Sequence, residues 1–324
     1  GLMLWSAAEF PRRVAGGAAE AGRSEGVRCL LAGAGPRDLA RLVERVDGII
    51  AFTGDTELLA ALAVCGKPAI TVSARSLEDC PLPAVVADGV AAGRLAAEHL
   101  IARGLERLLF AGIGTMAYAQ QRAAGFTAAA AAAGVDCQVV ERGRAEFLLP
   151  VLRQSSKPLG VLAAHDGRAR QVLDLCLDEG WAVPDEVAIL GVDNTALVCD
   201  LALAPLSSVD TAGEAVGRRA MENLLHWIKN GRRPPVFTTI PPAGVAARAS
   251  TDCQHDRDPV VGAALAQIRR HALHGLDVAS LALQIGVARR TLEQHLRRAC
   301  GRSPYQLIQE ERFAQAIAAL RDSN

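Results

Sequence analysis

Apolar residues in this chain fall into short runs separated by longer stretches in which they recur every three or four positions. The short runs, at 2–5, 27–32, 48–51, 69–72, 84–86, 107–111, 135–140, 160–163 and 187–191, predict strands. The stretches 11–23, 36–45, 56–65, 90–103, 119–133 and 168–180 predict helices. Strand and helix alternating through about residue 245 predict parallel sheets covered by helices on both faces. Nine such strands are too many for one mononucleotide-binding half, so the pattern predicts two stacked α/β lobes. A strand over 206–209 then leads to a long helix over 213–229, stopped by Asn230-Gly231 ahead of Pro234-Pro235, with last strands at 236–240 and 244–248.

The pattern changes after residue 249. The stretch ASTDCQHDRD is small and polar, and Pro259 follows it, so a domain boundary is expected there. Beyond it only helical spacing remains, at 260–271, 278–285, 288–299 and 304–320, with Asp277 placed to cap the second of these helices. Leu281, Ala282 and Ile285 share one face of that helix, Gly286 breaks it, and Val287 packs the turn. Leu292 and Leu296 carry the apolar stripe of the next helix, whose other side bears Arg289, Arg290, Gln294 and Arg297. This is the layout of a helix-turn-helix, whose second helix enters the DNA major groove. The plainer alternative is an αα-hairpin with the arginines as a solvated face.

Composition narrows the picture. At 324 residues, half of them hydrophobic, the chain is long enough for two or three compact units and is neither fibrous nor disordered. The formal charge is zero, but from Pro259 onward nine arginines and no lysine stand against five acids. Guanidinium is the group suited to phosphate forks and guanine edges. The eight cysteines show no Cys-x-x-Cys spacing, which predicts reduced thiols rather than a disulfide framework or zinc site. No long apolar run and no basic n-region with a hydrophobic stretch is present, so a cytoplasmic protein is expected, neither exported nor membrane-bound. Gly33-Ala34-Gly35 follows a strand as a dinucleotide fingerprint does, but position 38 is Asp where the third glycine belongs, and a tight turn accounts for it better. No phosphate loop, nucleophile elbow or His-Glu-x-x-His motif is present, so neither an enzyme nor a bound cofactor is expected.

In two-lobed α/β proteins ligands lie in the cleft, against loops at the carboxyl ends of strands. The polar or aromatic residues that follow predicted strands are Trp5 and Ser6, Thr53 to Asp55, Tyr118 to Arg122, His165 with Asp166, and Asp193 with Asn194. Each has a structural alternative. Asp166 precedes a helix and fits an N-cap as well as a ligand contact, Asp88 fits a hinge or a cap, and Trp5 fits the core at a strand end. His99 fits a satisfied structural histidine, and Trp181 and Trp227 fit packing.

Two resemblances give these residues context. Ala282, Gly286, Leu292, Leu296, Gly301-x-Ser303-Pro304 and a following helix with Arg312 and Ala316 resemble the first half of an AraC/XylS-family DNA-binding domain. Asp88, Gly93, His99-Leu100, Gly104, Arg122, Gly125, Phe126, His165-Asp166, Val183-Pro184-x-x-Val187-Ala188 and Gly191-x-Asp193-Asn194 resemble the periplasmic-binding-protein-like fold of LacI-type sugar sensors. Joined in this order, the two parts and the junction between them resemble the XylR-type xylose-operon activators.

The resemblance implies a LacI-type ligand-sensing domain over 1–250, with lobe 1 at about 1–112 and 207–232 and lobe 2 at about 113–206 and 233–250. It further implies a linker at 251–258 and a small all-α AraC-type helix-turn-helix domain over 259–324. Residue by residue, Arg122, His165 and Asp193 fall on sugar-contacting positions, although LacI-type proteins commonly carry Asn where His165 stands. Trp5, Ser6, Asp166 and Asn194 complete the expected ligand set. Arg289, Arg290 and Gln294 would face base edges, and Arg297, Arg298 and Arg302 phosphates. AraC/XylS domains are similar to two helix-turn-helix subdomains joined by a long helix. This sequence ends at Asn324, so the second is expected to be missing. The expected partners are a DNA operator, a sugar effector, a second copy of the chain in a homodimer and, for an activator, RNA polymerase. The competing expectation is a cytosolic sugar-binding or sugar-processing protein whose C-terminal helices mediate protein contacts.

Overall fold

The computed structural model describes residues 2–4, 9–33, 35–73, 80–142, 144–253 and 259–322. From the N-terminus come β1 (Leu2–Leu4), α1 (Glu9–Ser24), β2 (Leu31–Ala32), α2 (Pro36–Val43), β3 (Ile49–Phe52), α3 (Thr56–Val64), β4 (Ala69–Thr71) and β5 (Ala84–Ala87). Next are α4 (Gly89–Ile101), β6 (Arg107–Ala111), α5 (Ala117–Ala132), β7 (Asp136–Val140), α6 (Ala145–Gln154), β8 (Leu159–Ala163), α7 (Asp166–Asp178), β9 (Val187–Val192), α8 (Ala196–Asp200) and β10 (Ser207–Asp210). Then follow α9 (Gly213–Asn230), β11 (Phe237–Ile240), β12 (Gly244–Ala246) and a 3-10 turn at Ala249–Thr251.

These elements build two six-stranded sheets, in the orders β11-β5-β4-β3-β1-β2 and β12-β10-β9-β8-β6-β7. Every strand pairing is parallel except that of β12 with β10. The central strands β3, β8 and β9 are buried along their whole length, because helices cover both faces of a parallel sheet and leave no side for polar residues. The result is a two-lobed α/β fold. The core of lobe 1 lies on both sides of its sheet, around Ile50, Ile70 and Leu224 on one face and Ile49, Leu59 and Leu62 on the other. Leu109, Val161, Val172 and Ile189 form part of the core of lobe 2.

In each lobe two helices approach until backbone meets backbone, and glycine makes this possible. A Cβ on Gly93 of α4 would stand 2.0 Å from the Arg122 carbonyl oxygen of α5, and one on Gly125 would stand 2.0 Å from that of Val90. Gly17 and Gly217 play the same part between α1 and α9.

The chain passes between the lobes three times: at Asp88, between β10 and α9, and between β11 and β12. Backbone hydrogen bonds hold these crossings together, Asp88 N to Ile240 O at 2.8 Å and Ala243 N to Asp210 O at 2.9 Å. Ala212, on the second crossing, is left-handed at φ 54°. These crossings correct the lobe boundaries expected near 112, 207 and 233. Because α4 packs on α5, it belongs with β6 in lobe 2. Likewise β10 pairs with β9 in lobe 2, and β11 pairs with β5 in lobe 1.

Helices α6 and α8 are elements the periodicity did not predict. Pro150 sits inside α6 and breaks its helical signal, and α8 is only five residues long. Of the strand expected over 27–32, only β2 forms, as the edge strand of its sheet, pairing at two positions with β1.

The chain forms two compact units, one of residues 1–101 and 106–251 and the other of residues 102–105 and 252–324. Most of the expected linker, residues 254–258, lies outside the described residues. The second unit contains α10 (Pro259–His271), α11 (Val278–Ile285), α12 (Arg289–Cys300) and α13 (Pro304–Asp322). Val261, Ile268, Leu281, Ala282, Leu292, Leu296 and Ile308 form part of its core. Asp277 caps α11, accepting from Ser280 N at 2.7 Å, and Gly286 ends it at φ 76°. Arg312 ties α13 to the α10–α11 connection by donating to the carbonyls of Ala272 and Leu276 at 2.7 and 2.9 Å. No helix among the described residues is long and apolar enough to cross a membrane.

Candidate ligand-binding cleft

A cavity of about 590 Å³ opens between the lobes of the first unit, at the carboxyl ends of the strands of both sheets. Lobe 1 contributes Glu9, Phe10 and Arg12 from the start of α1, Phe52 from the end of β3, and Val72 and Ser73 after β4. Lobe 2 contributes Tyr118 and Arg122 from α5, His165 to Gly167 at the start of α7, Asp193 and Thr195 from the β9–α8 connection, and Leu197 and Val198 from α8. The two walls differ in chemistry. Phe10 and Phe52, with ring centroids 6.1 Å apart, give the lobe 1 wall an aromatic surface, and the lobe 2 wall is dense in hydrogen-bonding groups.

Arg122 is only 5% exposed, and the guanidinium is held on three sides. Nη1 donates to the Ala164 carbonyl, Nη2 donates to Asp193 Oδ1 at 2.8 Å, and Cζ lies 4.9 Å from the Tyr118 ring centroid. Thr211 Oγ1 adds a 3.2 Å bond to the same carboxylate oxygen. Such a pair survives burial because both charges keep hydrogen-bonding partners. The Gly93–Gly125 contact seats the backbone of α5 at Arg122 and so fixes where this side chain starts.

His165 caps α7, its Nδ1 accepting from Arg168 N at 3.1 Å. A ring nitrogen that accepts carries no proton, so the neutral imidazole bears its hydrogen on Nε2. Capping consumes the Nδ1 acceptor of the ring.

Asp166, for which an N-cap was the alternative to a ligand contact, is the first helical residue, and His165 is the cap. Its carboxylate reaches across to the next connection, accepting from Thr195 N at 2.6 Å and from Ser208 Oγ at 2.5 Å. Gly191 makes room for it, since a Cβ there would stand 2.2 Å from Asp166 Oδ1. Burial, reinforced by the nearby charge of Asp193, pushes the Asp166 carboxyl up to about 6, against the opposing pull of its hydrogen bonds.

Comparisons with known proteins agree with this architecture. The family described as a periplasmic binding protein-like domain matches residues 97–251. The ribose operon repressor of Bacillus subtilis (strain 168) is 30% identical over 248 residues, spanning 71% of this chain and 73% of that protein. The chain belongs to the same LacI-type family of operon regulators. The xylose operon regulatory protein of Haemophilus influenzae is 28% identical over 297 residues, 86% of this chain and 76% of that protein. The structure of the xylose-binding transcription activator xylR covers 98% of this chain and 86% of its own, with a TM-score of 0.75 and 24% identity, a likeness of fold. The relatives of this regulator are transcriptional regulators, not enzymes.

Among the residues expected at the ligand, the regulator brings Arg122, His165, Asp166 and Asp193 to the cavity wall. Trp5 and Ser6 lie outside the described residues. Asn194 does not line the cavity. Its amide instead donates to Asp210 Oδ2 at 3.2 Å and accepts from Arg248 Nη2 at 3.0 Å. Thr53 and Asp55 serve the start of α3, where Asp55 accepts from Glu57 N at 2.9 Å. His99 bonds Thr251 Oγ1 at 2.9 Å, and Asp88 caps α4 at a lobe crossing. Asp38 accepts from Gly35 N at 3.3 Å, and its carboxylate would stand 2.5 Å from a Cβ on Gly33. Sequence reasoning missed Phe10, Arg12, Phe52 and Ser73. The signal for Phe52 and Ser73 was the strand-end rule, applied at the strand's last residue or two residues past its end.

In the second unit Arg289, Arg290, Gln294, Arg297, Arg298 and Arg302 are all exposed. Arg289 pairs with Glu293 at 3.0 Å, and Arg302 pairs with Glu310. Arg290, Gln294, Arg297 and Arg298 are spaced four, seven and eight apart, so they line one stripe of α12 opposite buried Leu292 and Leu296. Among the described residues no group of three or more His, Cys, Asp or Glu side chains is placed to hold a metal ion.

Proposed function

We propose that this regulator senses a sugar, xylose or a related one, in the cleft and reads a DNA operator with the C-terminal helices of a homodimer. The observation that carries the reading is the Arg122–Asp193 pair on one wall of a 590 Å³ cavity faced by Phe10 and Phe52 on the other. A sugar ring needs both, hydrogen-bonding groups for its hydroxyls and an apolar surface for its C–H face. With its polar contacts concentrated on lobe 2 and its stacking surface on lobe 1, an occupant favours the closed lobes by its differential affinity for them.

In the second unit α11 and α12 act as an AraC/XylS-type helix-turn-helix. Arg289, Arg290 and Gln294 face base edges, and Arg297, Arg298 and Arg302 face phosphates. The exposed stripe of α12 supports this assignment, as does the likeness to the xylose operon regulatory protein. If the regulator activates, RNA polymerase is the further partner.

Calorimetry with D-xylose, D-ribose, L-arabinose and D-glucose tests the sensor half, with Arg122→Ala and Asp193→Ala as controls. Micromolar binding of one sugar, lost in both variants, is expected. Binding at full strength by both variants overturns the site. Gel-shift titration against the chain's own upstream DNA at two salt concentrations tests the reader half. Sequence-specific binding that weakens steeply with salt supports DNA recognition, and none at low salt supports protein contacts by the same helices.

A further inference from the structure

We infer that Arg248 couples the cleft to the segment by which the chain leaves the sensing unit, with Asn194 as the intermediary. The inference rests on the reading of the cleft as a ligand site.

Asp193 and Asn194 form a turn in which both residues are left-handed, at φ 104° and 51°. A side chain disfavours that conformation, so the surroundings must hold it. Arg13 of lobe 1 donates from Nη1 to the Asp193 carbonyl at 3.0 Å. The Asn194 N–H goes to Ser208 Oγ at 2.9 Å, and its side-chain amide goes to Asp210 Oδ2. Asp210 is itself clamped by Arg13, at 2.9 Å, beside the second lobe crossing. The remaining handle of the turn, Asn194 Oδ1, is taken by Arg248 Nη2. A shift of the Asp193 carboxylate toward or away from an occupant therefore moves an atom bonded to Arg248.

Arg248 follows β12 and stands three residues before the end of the sensing unit at Thr251. All three of its guanidinium nitrogens are engaged: besides Nη2, Nε donates to Asp200 at 2.8 Å and Nη1 to the Leu206 carbonyl at 3.0 Å, and its backbone N–H donates to Ser207 Oγ at 2.8 Å. Ser207 Oγ bonds Thr251 Oγ1 at 2.7 Å, and Ser250 Oγ donates to the Ile189 carbonyl at 2.6 Å. Ser207, Ser250 and Thr251 are fully buried. Water cannot replace a lost partner of these three, so a displacement of the Arg248 backbone, whose N–H bonds Ser207 Oγ, carries into Ser250 and Thr251. Arg248 touches neither the cavity nor a ligand and is a positioning residue.

Contiguity alone does not measure coupling. Hydrogen exchange read by mass spectrometry on the whole chain, without any sugar, does so. Asp193→Asn removes the charge of this one carboxylate with little change of shape, and it is expected to raise exchange in peptides covering 244–251 by about threefold or more. In an Arg248→Met background, which keeps the stem and deletes the donors, the same change is expected to leave those peptides unaltered. Equal responses in both backgrounds overturn the proposal. Should Arg248→Met destabilise lobe 2, Asn194→Gly cuts the same link, and glycine adopts the left-handed turn freely. The same criterion then applies.

A second arm adds D-xylose, D-ribose or L-arabinose. Protection of cleft peptides without protection of 244–251 overturns the coupling and upholds the sugar reading. No protection by any sugar, with the Asp193→Asn response intact and Arg248-dependent, overturns the sugar reading and supports the coupling.

Discussion

Arg122 Nη2 and Asp193 Oδ1 lie 2.8 Å apart with side-chain exposures of 6% and 19%, so each charge depends on the other for the place it occupies. Removing one partner strands the other. Asp193→Ala is expected to cost about 3–5 kcal/mol of unfolding free energy, and pairing it with Arg122→Met is expected to recover part of that loss. Urea denaturation of the two single variants and the double variant gives the coupling energy. Additive losses would mean that the pair contributes nothing as a pair.

The Asp166 carboxyl gives the stability a pH dependence of definite sign. Folding raises its pKa from 3.8 to about 6, so between those values the folded chain binds the extra proton. The folded state therefore gains stability on acidification through that window and loses it as the pH rises toward 6. Asp166→Asn lacks this contribution. Relative to the wild type, it is expected to be more stable at pH 7 than at pH 4 by about 2–3 kcal/mol, at ~1.4 kcal/mol per pKa unit. Parallel stability–pH profiles for the two proteins would contradict the burial-driven shift.

The helix crossings make a steric prediction with an internal control. Gly93→Ala and Gly125→Ala each press a methyl into a backbone carbonyl and are expected to destabilise by about 1–3 kcal/mol or more. Gly16, on the open side of α1, meets nothing within 4 Å. Gly16→Ala is expected to stabilise by about 0.5–1 kcal/mol through helix propensity alone. Thermal melting of the three variants separates the two effects.

On α12, Arg290→Ala is expected to cost about 1–3 kcal/mol of operator affinity and to relax sequence preference at one base pair. Arg297→Ala is expected to weaken binding to all sequences alike and to lower the salt slope by about one. Fluorescence anisotropy on operator and scrambled duplexes distinguishes these outcomes. Unchanged affinity in both variants would exclude α12 as the reading helix.

Much of the fold was legible in the sequence, because the central strands are uninterrupted apolar runs and the helices carry regular periodicity. Gly93 and Gly125 were also visible, though only the packed helices show that they are contact points. The lobe boundaries were not legible. A chain that leaves one sheet and joins another does so without any change in composition, and only the pairing of β10 with β9 and of β11 with β5 reveals it. In the cleft, Arg122, His165 and Asp193 could be placed from spacing and resemblance. The role of Asp166 could not. Its partners Thr195 and Ser208 lie 29 and 42 residues away, and a polar residue before a helix looks like a cap until its carboxylate is seen bonded elsewhere.

The three chain crossings, laced to one another by the bonds from Asp88 to Ile240 and from Ala243 to Asp210, act as a single pivot. Two bodies stiffened by glycine-seated helix pairs and joined along such a line keep one easy motion, a swing about it. What the cleft distinguishes among molecules can then be expressed as an angle. Two occupants that set the same angle would differ to the rest of the chain only through what they do to Asp193 and the Asn194–Arg248 link behind it.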